Sequence, residues 1–353
     1  MLLLACGAIS GGAEERLPGP LVPPSRLGHS GIDRAPRGED GRFENTVGPL
    51  PHAGPTVTFP FFLRRALGAF RDPRRLPEIS NPVPDYLRVN ARIMRPAVTW
   101  VGHATLLVQL GGATILTDPI WSNRAGPTRF AGARRYLPPG LPLEALPPID
   151  VVLISHNHYD HLDLPTLRWL SKHHRQALFV LPLGNGSLLR RKGIERVVEL
   201  DWGDQIVVKG VTVHCLPAQH WSRRALFDAR KALWSSWAVT AWERRFYFAG
   251  DTGYFDGLRE IGRALGPFDL AAVPIGAYEP QAMMRPFHLD PEQAVQAGLD
   301  VDARRVLGVH FGTFDLSDEP LDEPPRRFHA AARAAGLAPS DAWTLGIGET
   351  RDF

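Results

Sequence analysis

Short apolar runs alternate with helix signals from about residue 97 to the end, and several of those runs finish on a side chain able to bind a metal. Strands interleaved with helices, with no internal repeat at a short fixed period, predict an α/β fold. The polar ends of the runs predict that one composite site lies where strand ends meet.

The chain divides into three stretches. Residues 1–56 are dense in Gly, Pro and charge without apolar periodicity, and read as an extended or disordered arm. Near its start, Leu3, Leu4, Ala5 and Cys6 resemble a bacterial lipobox, but the charged start and the apolar core of roughly 7–15 residues expected of a signal peptide are both missing. Either the start lies too far downstream, which implies a periplasmic protein anchored through Cys6, or the match is accidental and the protein is cytoplasmic. Residues 57–95 form a helical extension. In it Phe59, Phe62, Leu63, Ala66, Leu67 and Phe70 recur at helical spacing beside Arg64 and Arg65, and Pro60 suits a first turn. The favoured reading is a helix packed on the main domain, the other a face that meets lipid. Residues 96–353 make the main domain.

Within it, the runs 113–117, 151–155, 246–250 and 306–309 lead to Asp118, His156, Asp251 and His310, and 211–219 leads to His220. Between them, Asp163 with Pro165 opens a helix that turns Leu167 and Leu170 inward. Asp290 caps another, with Pro291 at its first position and Gln293 in capping-box register. A third spans about 255–265 and is closed by Gly266 and Pro267.

Composition excludes several classes. At 44% hydrophobic the chain can bury a sizeable core. Net charge is +3 with a pI near 9.0, yet there is no Lys/Arg-rich block, so nucleic acid is not the expected partner. Two cysteines, Cys6 and Cys215, form neither a disulfide framework nor a zinc finger, and Cys215 in an apolar run reads as a core residue. No apolar stretch reaches the roughly 20 residues of a membrane-spanning helix.

The densest chemistry is ISHNHYDHLD, which sets His156, His158, Asp160 and His161 at i, i+2, i+4 and i+5 after an apolar run. Three imidazoles and a carboxylate at one strand end are costly to bury unless a cation neutralises them, and they are the ligands that Zn²⁺ and related ions take. The stretch 221–237 mixes Arg223, Arg224 and Arg230 with Phe227 and three Trp, apolar area beside guanidinium that suits a phospholipid head group and its chains. Tyr159 and Tyr278 are expected at the same mouth. His103 has a structural and a site reading of equal weight. His29, His52, His173, His174, His214 and His329 read as non-functional.

On His156, His158, Asp160, His161, His220, Asp251 and His310 in this order, the chain resembles the metallo-β-lactamase fold superfamily. Within it, GHATLLVQ, LTDPIWSNRAGP, PAQHWSRR, LWSSWAV, FYFAGDTGYF, PIGAYEP, HLDPEQAV and HFGTF resemble the N-acyl-phosphatidylethanolamine-hydrolysing phospholipase D family from about residue 99 to 325. The resemblance implies an αββα sandwich with two Zn²⁺, Mn or Fe being acceptable to the same ligands. It implies that His156, His158 and His220 hold one ion, that Asp160, His161 and His310 hold the other, and that Asp251 bridges them. Asp118 is then an orienting residue and His288 a substrate-facing one, so that Asp160, Asp251, Asp118 and His288 form the catalytic set, with a metal-bridging hydroxide as nucleophile. Tyr159, His288, Arg223, Arg224 and Tyr278 are the expected substrate contacts. The function so implied is a phospholipase D-type phosphodiesterase acting on a phospholipid at a membrane surface, with a homodimer expected. The second reading is hydrolysis of a small carbonyl substrate such as a sugar-phosphate lactone. A silent lipid-binding protein is disfavoured because all seven ligand positions are filled.

Overall fold

The computed structural model describes residues 28–66, 82–91 and 95–353. Among these, two large sheets lie face to face. One runs in the order Thr350–Asp352, Ala97–Gly102, Thr105–Leu110, Ala113–Thr117, Val151–Leu153, Leu178–Pro182 and Val197–Leu200. The other runs Gly28–His29, Asp204–Val208, Val211–Leu216, Ser236–Ala241, Arg244–Phe248, Leu270–Pro274, Val306–Val309 and Ala342–Trp343.

The layering follows from the two-residue period of a strand. Leu106, Val108, Ile115, Val151 and Leu153 face the other sheet and join Val213, Val239 and Phe246 in one core. Their neighbours Leu107, Leu116 and Val152 point the opposite way, onto Leu167 and Leu170 of the helix Leu164–His173. Both faces of the strands are therefore buried, and each Leu or Val so covered contributes roughly 1.5–3 kcal/mol. On the far side, the helix Pro291–Asp300 packs on Leu270–Pro274 and Val306–Val309, beside Gly257–Leu265 and Glu323–Ala334. The result is the expected αββα sandwich.

Register places the chemistry. In the first sheet Ala113–Thr117 runs parallel to Val151–Leu153, pairing Thr117 with Leu153, so that Asp118 and His156 leave the sheet side by side. In the second, Phe248 pairs with Ala272 and Pro274 with Val309 in parallel, which brings Asp251 and His310 to the same edge. Carboxyl ends of parallel strands are where open α/β sheets bind ligands.

The helix signals hold with adjustments. Asp290 closes a full capping box with Gln293. Asp163 occupies an N-cap position, but its carboxylate accepts from Thr166 Oγ1 at 2.6 Å and Ser122 Oγ at 2.8 Å instead of the first-turn backbone. The third helix begins at Gly257. The amino-terminal helix spans Pro55–Ala66, so Pro60 sits in its interior and not its first turn. It docks by burying Phe61 and by Arg64 and Arg65, which both reach Asp318, while Phe59 and Phe62 stay 67% and 60% exposed. Leu67 and Phe70 of the predicted stripe, and Cys6, lie outside the described residues.

The arm is more than a surface strap from residue 28 on. Gly28–His29 adds an edge strand to the second sheet, and Phe43 is buried in the core with Arg37 stacked over its ring. Among the described residues no helix is long and apolar enough to cross a membrane.

Candidate metal centre

Asp118 is the first fixed point. It leaves its strand with a left-handed φ of 34°, a conformation Asp tolerates better than most residues. Its buried carboxylate accepts from Ser155 N at 2.7 Å, Ser155 Oγ at 2.6 Å and His161 Nδ1 at 2.7 Å. Ser155 has thus spent its proton, so its Oγ accepts from His156 Nδ1 at 2.9 Å. His220 Nδ1 donates to the Phe287 carbonyl at 2.9 Å. These partners fix the tautomers and leave the Nε2 lone pairs of His156 and His220 aimed inward.

Those lone pairs meet His158. His156 Nε2 lies 2.8 Å and His220 Nε2 3.2 Å from His158 Nδ1. One proton can satisfy only one of these contacts, so the cluster lacks positive charge. A second group gathers beside it, with Asp160 Oδ2 at 3.2 Å from His161 Nε2 and 3.5 Å from His310 Nε2, and the two imidazoles 3.2 Å apart. Asp251 touches both groups: Oδ2 is 3.1 Å from His161 Nε2 and 4.0 Å from His156 Nε2, and Oδ1 is 3.2 Å from His310 Nε2.

The electrostatics agree. Burial pushes His158 and His288 down to about 4 and holds His156 and His220 well below the imidazole range, so all four imidazoles are neutral at pH 7. Burial alone would raise Asp160 and Asp251, but the imidazoles around them, His161 foremost, hold both carboxyls well below the usual range. Asp118 goes the other way, raised by burial. Burial acts to lower His161, yet Asp251, Asp160 and Asp118 together raise it well above the usual value. Three carboxylates thus converge on one imidazole. Divalent ions would supply the charge this set lacks, and the buried Asp251 Oδ1, turned into the set, has no hydrogen-bond partner. Among the described residues, His156, His158 and His220 form one group able to hold an ion and His103, Asp160, His161 and His310 another, while Asp251 groups with His156 and His161 and with His220 and His288, so the residues fit two ions.

The cluster floors a cavity of about 820 Å³. Phe61, Phe62, Trp221, Met283, Met284 and Phe287 make its walls apolar, while His288 and Arg223 add polarity near the floor and side. His288 Nδ1 is 3.9 Å from Asp251 Oδ2. Tyr159 lines the cavity and donates its hydroxyl to the Arg224 carbonyl at 2.7 Å.

Two expected substrate contacts are corrected. Arg224 is spent on protein: its guanidinium donates to the carbonyls of Asn157 and Leu162 at 3.0 and 2.7 Å and stacks over Tyr159, clamping the ligand loop. Tyr278 is 1% exposed and donates to Glu323 Oε1 at 2.8 Å, under Arg327, away from the cavity. Of the three Trp in 221–237 only Trp221 reaches the cavity, edge-on to His158; Trp234 and Trp237 are core.

Two residues were underrated. His103 Nε2 lies 3.0 Å from Asp160 Oδ2, and His52 lines the cavity against Phe287. Asn45 also reaches the site. Its amide donates to the His220 carbonyl and accepts from the His220 N–H, both at 3.0 Å, so the arm holds a ligand loop. The available signal was the GRFEN stretch at 41–45, an apolar residue and an amide within an otherwise polar arm.

The sequence matches the family described as beta-lactamase superfamily domain over residues 113–311. It is 45% identical over 238 residues to N-acyl-phosphatidylethanolamine-hydrolyzing phospholipase D 1 of Caenorhabditis elegans, covering 65% of this chain and 67% of that one. It is 35% identical over 250 residues to the mitochondrial protein of the same description from Saccharomyces cerevisiae, covering 68% of this chain and 52% of that one. The chain thus spans between half and two thirds of the length of these relatives. Among solved structures, a metallo hydrolase from the archaeon Ignicoccus hospitalis superposes with a TM-score of 0.57 at 25% identity, covering 73% of this chain and 98% of that one. With the sandwich, the strand-end ligand set and these similarities in agreement, the chain belongs to the metallo-β-lactamase superfamily of metal-dependent hydrolases.

Proposed function

We propose that this chain is a dinuclear zinc phosphodiesterase of the phospholipase D type, which cleaves N-acyl-phosphatidylethanolamine or a related phospholipid to phosphatidate and the head-group amide. The observation that carries the reading is the junction of two ligand groups through Asp251 at the floor of a deep cavity with apolar walls. A phosphodiester needs the charged floor, and acyl chains suit the walls. The similarity to proteins described as phospholipase D supports the same reaction class.

When bound, two divalent ions would draw charge from a phosphoryl oxygen and lower the pKa of a water. His156, His158 and His220 would hold one, Asp160, His161 and His310 the other, and Asp251 both. The chain's own groups do the rest. Asp118 fixes the His161 ring by taking its Nδ1 proton into a hydrogen bond. His288, neutral and with Nδ1 unpartnered at the cavity wall, is placed to hold a phosphoryl oxygen by a hydrogen bond. Trp221, Phe61 and Phe287 exclude water from the floor.

The test is a side-by-side assay of purified protein on N-acyl-phosphatidylethanolamine, phosphatidylcholine and a sugar-phosphate lactone, with metal content measured on the same sample. Phosphatidate release from the first, with about two equivalents of metal, is the expected result. Turnover of the lactone alone would replace this function by the carbonyl reading.

A further inference from the structure

The turn at residues 102–105 joins the strands Ala97–Gly102 and Thr105–Leu110, and its geometry is unusual. Gly102 has φ 132° and His103 φ 54°, with Gly102 paired to Thr105. A left-handed residue with a Cβ costs roughly 1–2 kcal/mol, and Gly or Asn would occupy the position more cheaply. Imidazole in that place asks for a reason.

The surroundings supply one. The His103 N–H donates to Thr313 Oγ1 at 2.8 Å, and its carbonyl accepts from Trp100 Nε1 at 2.9 Å and from the His310 N–H at 3.1 Å. Its ring is 1% exposed, lies 4.0 Å from the His310 ring and meets Phe314 edge-on at 5.1 Å. Nε2 is directed at Asp160 Oδ2, 3.0 Å away. An ionised carboxylate only accepts, so the ring donates.

We propose that His103 is a positioning residue for the metal held by Asp160, His161 and His310: its ring pins the Asp160 carboxylate while its backbone carbonyl pins the His310 backbone. One turn of the first sheet thereby sets two ligands that arrive from the 156–161 loop and from the end of Val306–Val309 in the second sheet. The inference rests on the two-metal reading above. Partners that orient a ligand are typically worth about 10–100-fold in metal affinity.

The variants follow from backbone and reach. His103→Asn keeps a residue that accepts the left-handed turn but is too short to reach Asp160. His103→Gln places an amide donor near the original Nε2. Each is stripped and titrated with Zn²⁺ against a chromogenic chelator, and its Co²⁺ form is examined by absorption spectroscopy, so the readout does not depend on turnover. The expected result is that Asn weakens the second equivalent about 10–100-fold with the first unchanged, and that Gln restores it to within a few-fold. Asn binding both equivalents as tightly as the parent chain would overturn the proposal. So would a Co²⁺ spectrum in which Asn and Gln alike lose an imidazole ligand, because His103 would then be a ligand itself. If Asn misfolds, the Gln variant decides alone: wild-type-like affinity supports pinning, and loss of the second equivalent refutes it. A parent chain that never takes up a second equivalent would refute the two-metal reading first, and is separately visible in the same titration.

Discussion

At the scale of single residues, the centre depends on which atom of each side chain is left free. Asp251 is the residue proposed to serve both ligand groups, so Asp251→Asn should lower turnover by at least about a thousandfold, some 4 kcal/mol of barrier. Elemental analysis of the same variant should find fewer than two equivalents, and full activity would remove Asp251 from its bridging role. His288 differs in kind. It touches the cavity but belongs to neither ligand group of the proposed pair, so His288→Gln should reduce kcat by about 10²–10⁴-fold with metal content unchanged. The seven proposed ligand residues stood out in the sequence because His and Asp at strand ends are rare enough to announce themselves, and the fold brings them to one cluster. The side chains around the floor were not. Arg224 and Tyr278 have the chemistry of substrate contacts, and only the packing shows that backbone carbonyls and Glu323 have already claimed them.

At the scale of elements, the amino-terminal pieces carry the least predictable roles. The helix Pro55–Ala66 buries Phe61 yet presents Phe59 and Phe62 outward, and the loop bearing Trp221 and Arg223 likewise exposes Leu226 and Phe227. If the substrate is drawn from a membrane, Phe59→Ser with Phe227→Ser should weaken sedimentation with phospholipid vesicles at least tenfold. Each ring kept out of the apolar phase forfeits about 1.5–3 kcal/mol. Hydrolysis of a water-soluble phosphodiester should change little in that variant, and equal losses on both substrates would argue for damage to the cavity instead. The arm makes a second contribution through Asn45. Asn45→Ala leaves the His220 N–H and carbonyl unpaired inside the protein, and should lower stability by roughly 2–4 kcal/mol in a denaturant titration. Sequence reading treated this region as an arm because Gly, Pro and charge mask the few residues that dock; a single buried Phe and a single amide produce no periodicity.

At the scale of the whole molecule, the site is a charge problem that the sandwich solves only with cations. Without them, the protein should be acid-sensitive. His158 and His288 take up protons near 6.5 when unfolded but only near 4 when folded. Between those values the unfolded state binds more protons, so stability is complete above 6.5 and falls as pH drops toward 4. Each group weakens the fold by about 3 kcal/mol across that window. His161, held well above its usual value, keeps its proton when folded but is half deprotonated when unfolded at 6.5, so it opposes the trend near the top of the window and adds no slope toward 4. The Tm of metal-stripped protein should therefore decline steadily from pH 6.5 to 4, and a flat profile would contradict these assignments. The architecture was the most legible level of all. Apolar runs interleaved with helix signals pointed to an α/β fold and the family resemblance to the layered sandwich, while the register that brings Asp118 beside His156 needed the neighbouring strand to be seen.

The reciprocal pair between Asn45 and His220 spans 175 positions of the chain. Along the chain the arm precedes its partner loop by the strands Ala113–Thr117, Val151–Leu153 and Leu178–Pro182 of the first sheet. His310 comes later still, and the turn at His103 waits on it for more of its backbone partners. Contacts so distant in sequence are slow to close and reward the chain only at the end. The centre therefore closes late, and a chain stalled before residue 310 would hold six of the seven proposed ligands with the place of His310 still empty.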